Sequence, residues 1–120
     1  LHLAARNGRD SVVEVFLADA RVDVNCAYIL DQTALHLAAE NGHDAVVKVL
    51  LADARTDVNK TNWWWRTPLY VAARNGHDAV VRLLLANDRV DVHEKDRDGT
   101  TPLLAAVAGE HESIAIQLLE

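Results

Sequence analysis

One short block of apolar residues recurs at a fixed interval along the chain. Leu1-His2-Leu3-Ala4-Ala5 returns as Leu35-His36-Leu37-Ala38-Ala39, as Leu69-Tyr70-Val71-Ala72-Ala73 and, more loosely, as Leu103-Leu104-Ala105-Ala106-Val107. The step is 34 residues each time, and residues 1–25 match residues 35–59 at 19 of 25 positions. A period of this length marks a stacked array, in which a unit too small to bury its own apolar face buries it against its neighbours. Closed globular topologies built from unlike elements are thereby disfavoured before any local element is assigned.

Each unit reads as two helices and an arm. Thr33, Thr67 and Thr101 are N-cap residues, and Pro68 and Pro102 follow at the first helical position, where a missing N–H costs nothing. The first helix stops at Asn7-Gly8, Asn41-Gly42 and Asn75-Gly76, residues that tolerate left-handed backbone. A second helix starts with Asp10, Asp44 or Asp78 in its first turn, favourable to its dipole. Its apolar stripe is Val46, Val47, Val49, Leu50 and Leu51 in the second unit, with Lys48 facing water. Arg21, Arg55 and Arg89 follow that helix, where positive charge suits its C-terminal end. Alternating Val22-Asp23-Val24-Asn25, with copies at Thr56–Asn59 and Val90–His93, predicts an extended arm that folds back through a hairpin.

Thr67-Pro68-Leu69-Tyr70-Val71-Ala72-Ala73-Arg74-Asn75-Gly76-His77, with Val80-Val81 and Leu83-Leu84-Leu85 behind it, resembles the ankyrin repeat, as does Thr33 through His43. The likeness covers the whole chain as one domain of units at about 1–32, 33–66, 67–100 and a partial 101–120. It implies an all-α solenoid of stacked helix-turn-helix units with projecting β-hairpin loops. Tyr70 and Leu104 replace the family's histidine, and Asp31 and Trp65 replace its fingertip glycine, which is kept as Gly99. The fourth unit carries Gly109-Glu110 for Asn-Gly and exchanges polarity at Ile116 and Gln117 relative to Arg82 and Leu83.

The most unusual segment is Trp63-Trp64-Trp65, which the resemblance places at the tip of the second arm. The first tip carries Ile29-Leu30 and the third Arg97-Asp98. Exposed apolar patches and tryptophans mark contact surfaces, and two readings are open. The indoles contact a partner, or they lie across Ile29, Leu30 or Arg97 of adjacent arms and shield them. The resemblance also implies a concave recognition face made of arm tips and first helices, with Gln32, Arg66 and Thr100 beside the tips and Arg6, Glu40, Arg74 and Asn75 near helix ends. The expected partner is a protein of unknown identity, and self-association through the tryptophans is a further use of the same surface.

Other chemistry is disfavoured. The net charge of −6 opposes non-specific nucleic-acid binding, and no apolar run approaches the roughly 18 residues of a membrane span. Of the six histidines, His2 and His36 share one helix phase and His43, His77 and His111 another, a pattern of repeated structural hydrogen bonds and not of metal ligands. Asp96-x-Asp98-Gly99 resembles the middle of a calcium loop, but Ala105 stands where the bidentate glutamate belongs. No phosphate cradle, nucleophile elbow or metalloprotease helix occurs, so neither catalysis nor a cofactor is expected. The lone Cys26 and the lack of a leader fit an intracellular chain. The abrupt opening at Leu1 fits a piece of a longer protein. The alternative to a recognition module is a spacer in a larger array whose effector domain lies elsewhere.

Overall fold

The threonine caps and the 34-residue period build four helix pairs, described over residues 1–120 in a computed structural model. In chain order they are α1 (His2–Arg6) and α2 (Asp10–Leu17), α3 (Ala34–Glu40) and α4 (Asp44–Ala52), α5 (Pro68–Asn75) and α6 (Asp78–Leu85), α7 (Pro102–Ala108) and α8 (Glu112–Leu119). Thr33 Oγ1 accepts from His36 N–H (3.3 Å), Thr67 Oγ1 from Tyr70 N–H (3.2 Å) and Thr101 Oγ1 from Leu104 N–H (3.3 Å). Each bond satisfies one amide that a helix start leaves open.

The first helices α1, α3, α5 and α7 pack side by side, and α2, α4, α6 and α8 form a second layer behind them. Paired alanines let the layers approach closely: Ala38 and Ala39, then Ala72 and Ala73, are fully buried. Val46, Val47 and Leu50, and Val80, Val81 and Leu84, fill the space behind them. One apolar core runs from Ala4 in the first unit to Ile114 in the fourth. The body is accordingly elongated, 39 × 24 × 24 Å.

Polar side chains tie each unit to the one before it. His43 Nε2 donates to the Arg6 carbonyl (2.8 Å), His77 to Glu40 (2.8 Å) and His111 to Arg74 (3.0 Å). These are the repeated structural bonds expected from the histidine spacing. Gly42 shows how tightly they fit: its φ is +71°, and a Cβ there would meet His77 Nδ1 at 2.6 Å. In the fourth unit Glu110 keeps the left-handed backbone, at φ 60°. Ile114 remains buried and Ile116 points outward, so α8 holds its register despite the polarity exchange.

Two expectations change. Arg55 and Arg89 cap the preceding unit's helix as well as following their own, whereas Arg21 pairs only with Asp19. Arg55 Nη2 donates to Leu17 O (2.8 Å), and Arg89 donates to Leu51 O (3.2 Å) and Thr56 O (2.9 Å). The arms, moreover, form no β-strand. Adjacent tips share one backbone bond each, Trp63 N–H to Leu30 O (2.9 Å) and Arg97 N–H to Trp64 O (3.1 Å), too few for a ladder. Side chains do the remaining work: Asn25 accepts from Asp57 N–H (2.6 Å) and donates to Arg55 O (2.8 Å), and Asn59 repeats both contacts one unit on.

Candidate partner-binding surface

The second arm tip is fixed by a buried asparagine. Asn62 Oδ1 accepts from Trp64 N–H and Arg66 N–H, both at 3.0 Å, while Asn62 N–H donates to Arg66 O (3.0 Å). That turn puts Trp65 at φ 64°, the conformation a glycine adopts at Gly99 one unit on. Asp96 repeats the device in the third arm, its Oδ1 accepting from Asp98 N–H (2.9 Å) and Thr100 N–H (3.0 Å). The first arm lacks it, because exposed Tyr28 holds the equivalent position. There the tip is closed by backbone bonds alone, with Leu30 and Asp31 both left-handed, at φ 60° and 58°. A non-glycine residue in that region costs on the order of 1 kcal/mol or more. His2 turns away as well, its ring tilted against Tyr28 at 5.6 Å and bonding the Cys26 carbonyl at 2.7 Å.

The three tryptophans are given different tasks by this turn. Trp63 and Trp65 hold the guanidinium of Arg97 between them, each ring centroid 4.8 Å from Cζ. Arg97 Nε also donates to the Trp63 carbonyl at 2.6 Å. Trp64 meets Trp63 edge-on at 5.8 Å and turns toward the first helices. Arg66 lies between Trp64 (5.6 Å) and Tyr70 (5.0 Å), with Nε on Asp96 Oδ2 at 3.4 Å. Tyr70 O–H donates to the same oxygen at 2.8 Å. Tyrosine in the histidine position therefore reaches the next arm through a carboxylate, where His36 reaches the Arg66 carbonyl directly, at 2.9 Å.

These contacts set the local electrostatics. Burial pushes the Asp96 carboxyl up, but bonds from Thr100, Tyr70, Asp98 and Arg66 together outweigh it and hold it below the ordinary carboxylate range. Burial and the bond to Asp96 push the Tyr70 phenol up. No group of three or more His, Cys, Asp or Glu side chains stands close enough to hold a metal ion.

Two clefts open between the arms and the first helices. The first, about 670 Å³, is walled by Leu3, Leu37, Tyr28, Ile29 and Leu30, with Arg6 and Glu40 at its edge. The second, about 390 Å³, lies between Trp64, Arg66, Val71 and Arg74. Leu30, Gln32 and Glu40 border both and form the ridge between them. Of the residues singled out in the sequence, Arg6, Ile29, Leu30, Gln32, Glu40, Trp64, Arg66, Arg74 and Asn75 thus meet along one surface. Trp65 and Arg97 instead line a separate hollow with His93, Glu94 and Lys95. Trp63 lines none of the three.

Sequence reasoning missed Leu3, Leu37 and Val71, which share one position of the first helix. Leu3 is 69% exposed, an unusual state for a leucine in an amphipathic helix. It also missed the organising role of Asn62 and Asp96. Their signal was available as two Asx residues one period apart, each four residues before the cap-preceding position at Arg66 and Thr100.

No helix is long and apolar enough to cross a membrane. A search of curated proteins finds no significant match. The family model for ankyrin repeats (three copies) matches residues 1–96 and 54–120, which together span the chain. Four stacked helix pairs, histidine ties between them and this match agree: the chain belongs to the ankyrin-repeat family.

Proposed function

We propose that this chain is a non-catalytic protein-recognition module that holds a partner segment along the two clefts. Ankyrin repeats are in general protein–protein interaction modules. The observation that carries the reading is apolar surface left bare inside a concavity: Leu3 is 69%, Ile29 66% and Leu30 45% exposed, in line with Trp64. Solvent-facing leucines in a groove rimmed by charge form the apolar centre and polar border of a recognition surface. The stack supplies rigidity, so little ordering entropy is lost on binding.

Peptide-display selection against the chain tests this. Enriched peptides should lose about tenfold or more in affinity on Leu30→Asp plus Leu37→Asp, and nothing on Val15→Asp, a more exposed residue of the helix layer behind. Binding indifferent to the cleft substitutions would remove the clefts and favour a spacer role. Self-association through the tryptophan arm competes for the same surface. Arg97 already covers one face of both Trp63 and Trp65, so sedimentation should show a monomer that Trp65→Ala leaves unchanged.

A further inference from the structure

Arg6, Glu40 and Arg74 occupy one position in three successive units, 34 residues apart. They stand at or next to the ends of α1, α3 and α5. All three are exposed. None forms an ion pair, since the chain's three pairs are Arg21–Asp19, Arg55–Asp53 and Arg66–Asp96. Each has its backbone carbonyl pinned by the next unit's histidine, His43, His77 or His111. Three free charges of alternating sign are thus launched from a fixed repeat, Arg6 and Glu40 into the first cleft, Glu40 and Arg74 into the second. Adjacent packed helices lie about 8–10 Å apart. No ion pair within 4 Å joins any two of the three side chains, so each charge is left open to a ligand.

We infer, building on the concave reading, that the clefts take an extended protein segment bearing acidic, basic and acidic side chains at every third residue. A polyproline II segment has three residues per turn and rises about 3.1 Å per residue, so positions i, i+3 and i+6 share one face about 9 Å apart. That matches the helix spacing. A β-strand turns alternate residues to opposite faces and cannot place every third one on the groove. An α-helix restores its face at about 10 Å only every seven residues. The surroundings also suit a backbone without internal hydrogen bonds. Tyr28 and Trp64 flank the two clefts, aromatic walls of the kind that dock such segments. The Gln32 side-chain amide on the ridge has no partner within the chain and is free to bond a peptide backbone.

Two fluorescein-labelled, end-blocked peptides test this by anisotropy: Glu-Pro-Pro-Lys-Pro-Pro-Glu and the sign-inverted Lys-Pro-Pro-Glu-Pro-Pro-Lys. The chain's net charge of −6 favours the second, whereas the local register favours the first, so the two effects oppose each other. Exposed pairs contribute a few-fold each, and the first peptide should bind roughly tenfold tighter at low salt. The preference should invert in the Arg6→Glu, Glu40→Arg, Arg74→Glu variant, whose substitutions touch no internal side-chain contact. Preference for the cationic peptide, no binding of either, or a preference the variant leaves unchanged would overturn the inference. Equal binding of both, abolished by Leu30→Asp, would overturn the register and leave the concave reading standing. Binding that Leu30→Asp does not affect would overturn both.

Discussion

His36 makes the stability of the array depend on pH in a range where its carboxylates are still ionised. The ring is fully buried. Its Nδ1 accepts from Thr33 N–H (3.2 Å) and sits 2.9 Å from Thr33 Oγ1, and its Nε2 donates to the Arg66 carbonyl (2.9 Å). A second ring proton would be placed on Nδ1, facing an amide that is itself a donor. Burial is the main cause that lowers the His36 pKa to about 4, against smaller opposing effects of the Arg66 and Lys60 carbonyls. In the unfolded chain histidine titrates near 6.5, so the unfolded state takes up the proton first as pH falls. Stability is therefore complete above about pH 6.5 and declines below it. With those two values the loss is about 2 kcal/mol at pH 5 and levels off near 3 kcal/mol below pH 4. Urea unfolding followed by tryptophan emission at pH 7, 6 and 5 measures it. His36→Leu should be less stable at pH 7 and nearly flat between pH 7 and 5. Parallel decline of the parent and the variant would refute the assignment of this dependence to His36.

Three further substitutions probe the arms and the ties between units. Asp96→Ala removes an acceptor for four donors and should cost about 2–4 kcal/mol in urea unfolding, whereas Asp96→Asn, which recreates Asn62, should cost about 1–2 kcal/mol; equal losses would contradict the shared turn. The Asp96 carboxyl is held low, so its contribution is present above the unfolded carboxylate range near pH 3.9 and is lost as pH falls below it; Asp96→Asn should abolish that acid limb. Asp31→Gly should raise stability by about 0.5–1 kcal/mol, because relief of the left-handed backbone exceeds the added chain entropy; Asp31→Ala should give no such gain, and a destabilised glycine variant would refute the strain. Arg89→Ala should cost about 1–2 kcal/mol and speed amide exchange in the last turn of α4, whose Leu51 carbonyl it caps; unchanged exchange there would show the cap to be idle.

Much of the frame was legible because a period repeats its own evidence. Thr33, Thr67 and Thr101 announce one helix start three times, and the Asn-Gly pairs announce its end, so local errors are corrected by the neighbouring copies. The arms were less legible. Alternating Val-Asp-Val-Asn predicts a strand, but a strand needs a ladder, and adjacent tips share only one backbone bond each. The arginines were placed correctly along the chain and given too small a role, since a cap on the preceding helix depends on inter-unit geometry that spacing does not encode. At the tip, three identical residues are indistinguishable by composition. Only the Asn62 turn separates Trp64, which enters a cleft, from Trp63 and Trp65, which hold Arg97. The exposed Leu3 and half-buried Leu37 escaped notice because an apolar helix position is ordinarily a core position.

Nitrogen-15 and indole resonance mapping during titration with a display-selected peptide tests the central claim most directly. The account predicts that shifts will concentrate at Leu30, Gln32, Glu40, Arg74 and the Trp64 indole N–H, with α2, α4, α6 and α8 silent. Shifts confined to those four helices, or to Trp63 and Trp65 with the clefts unmoved, would contradict it.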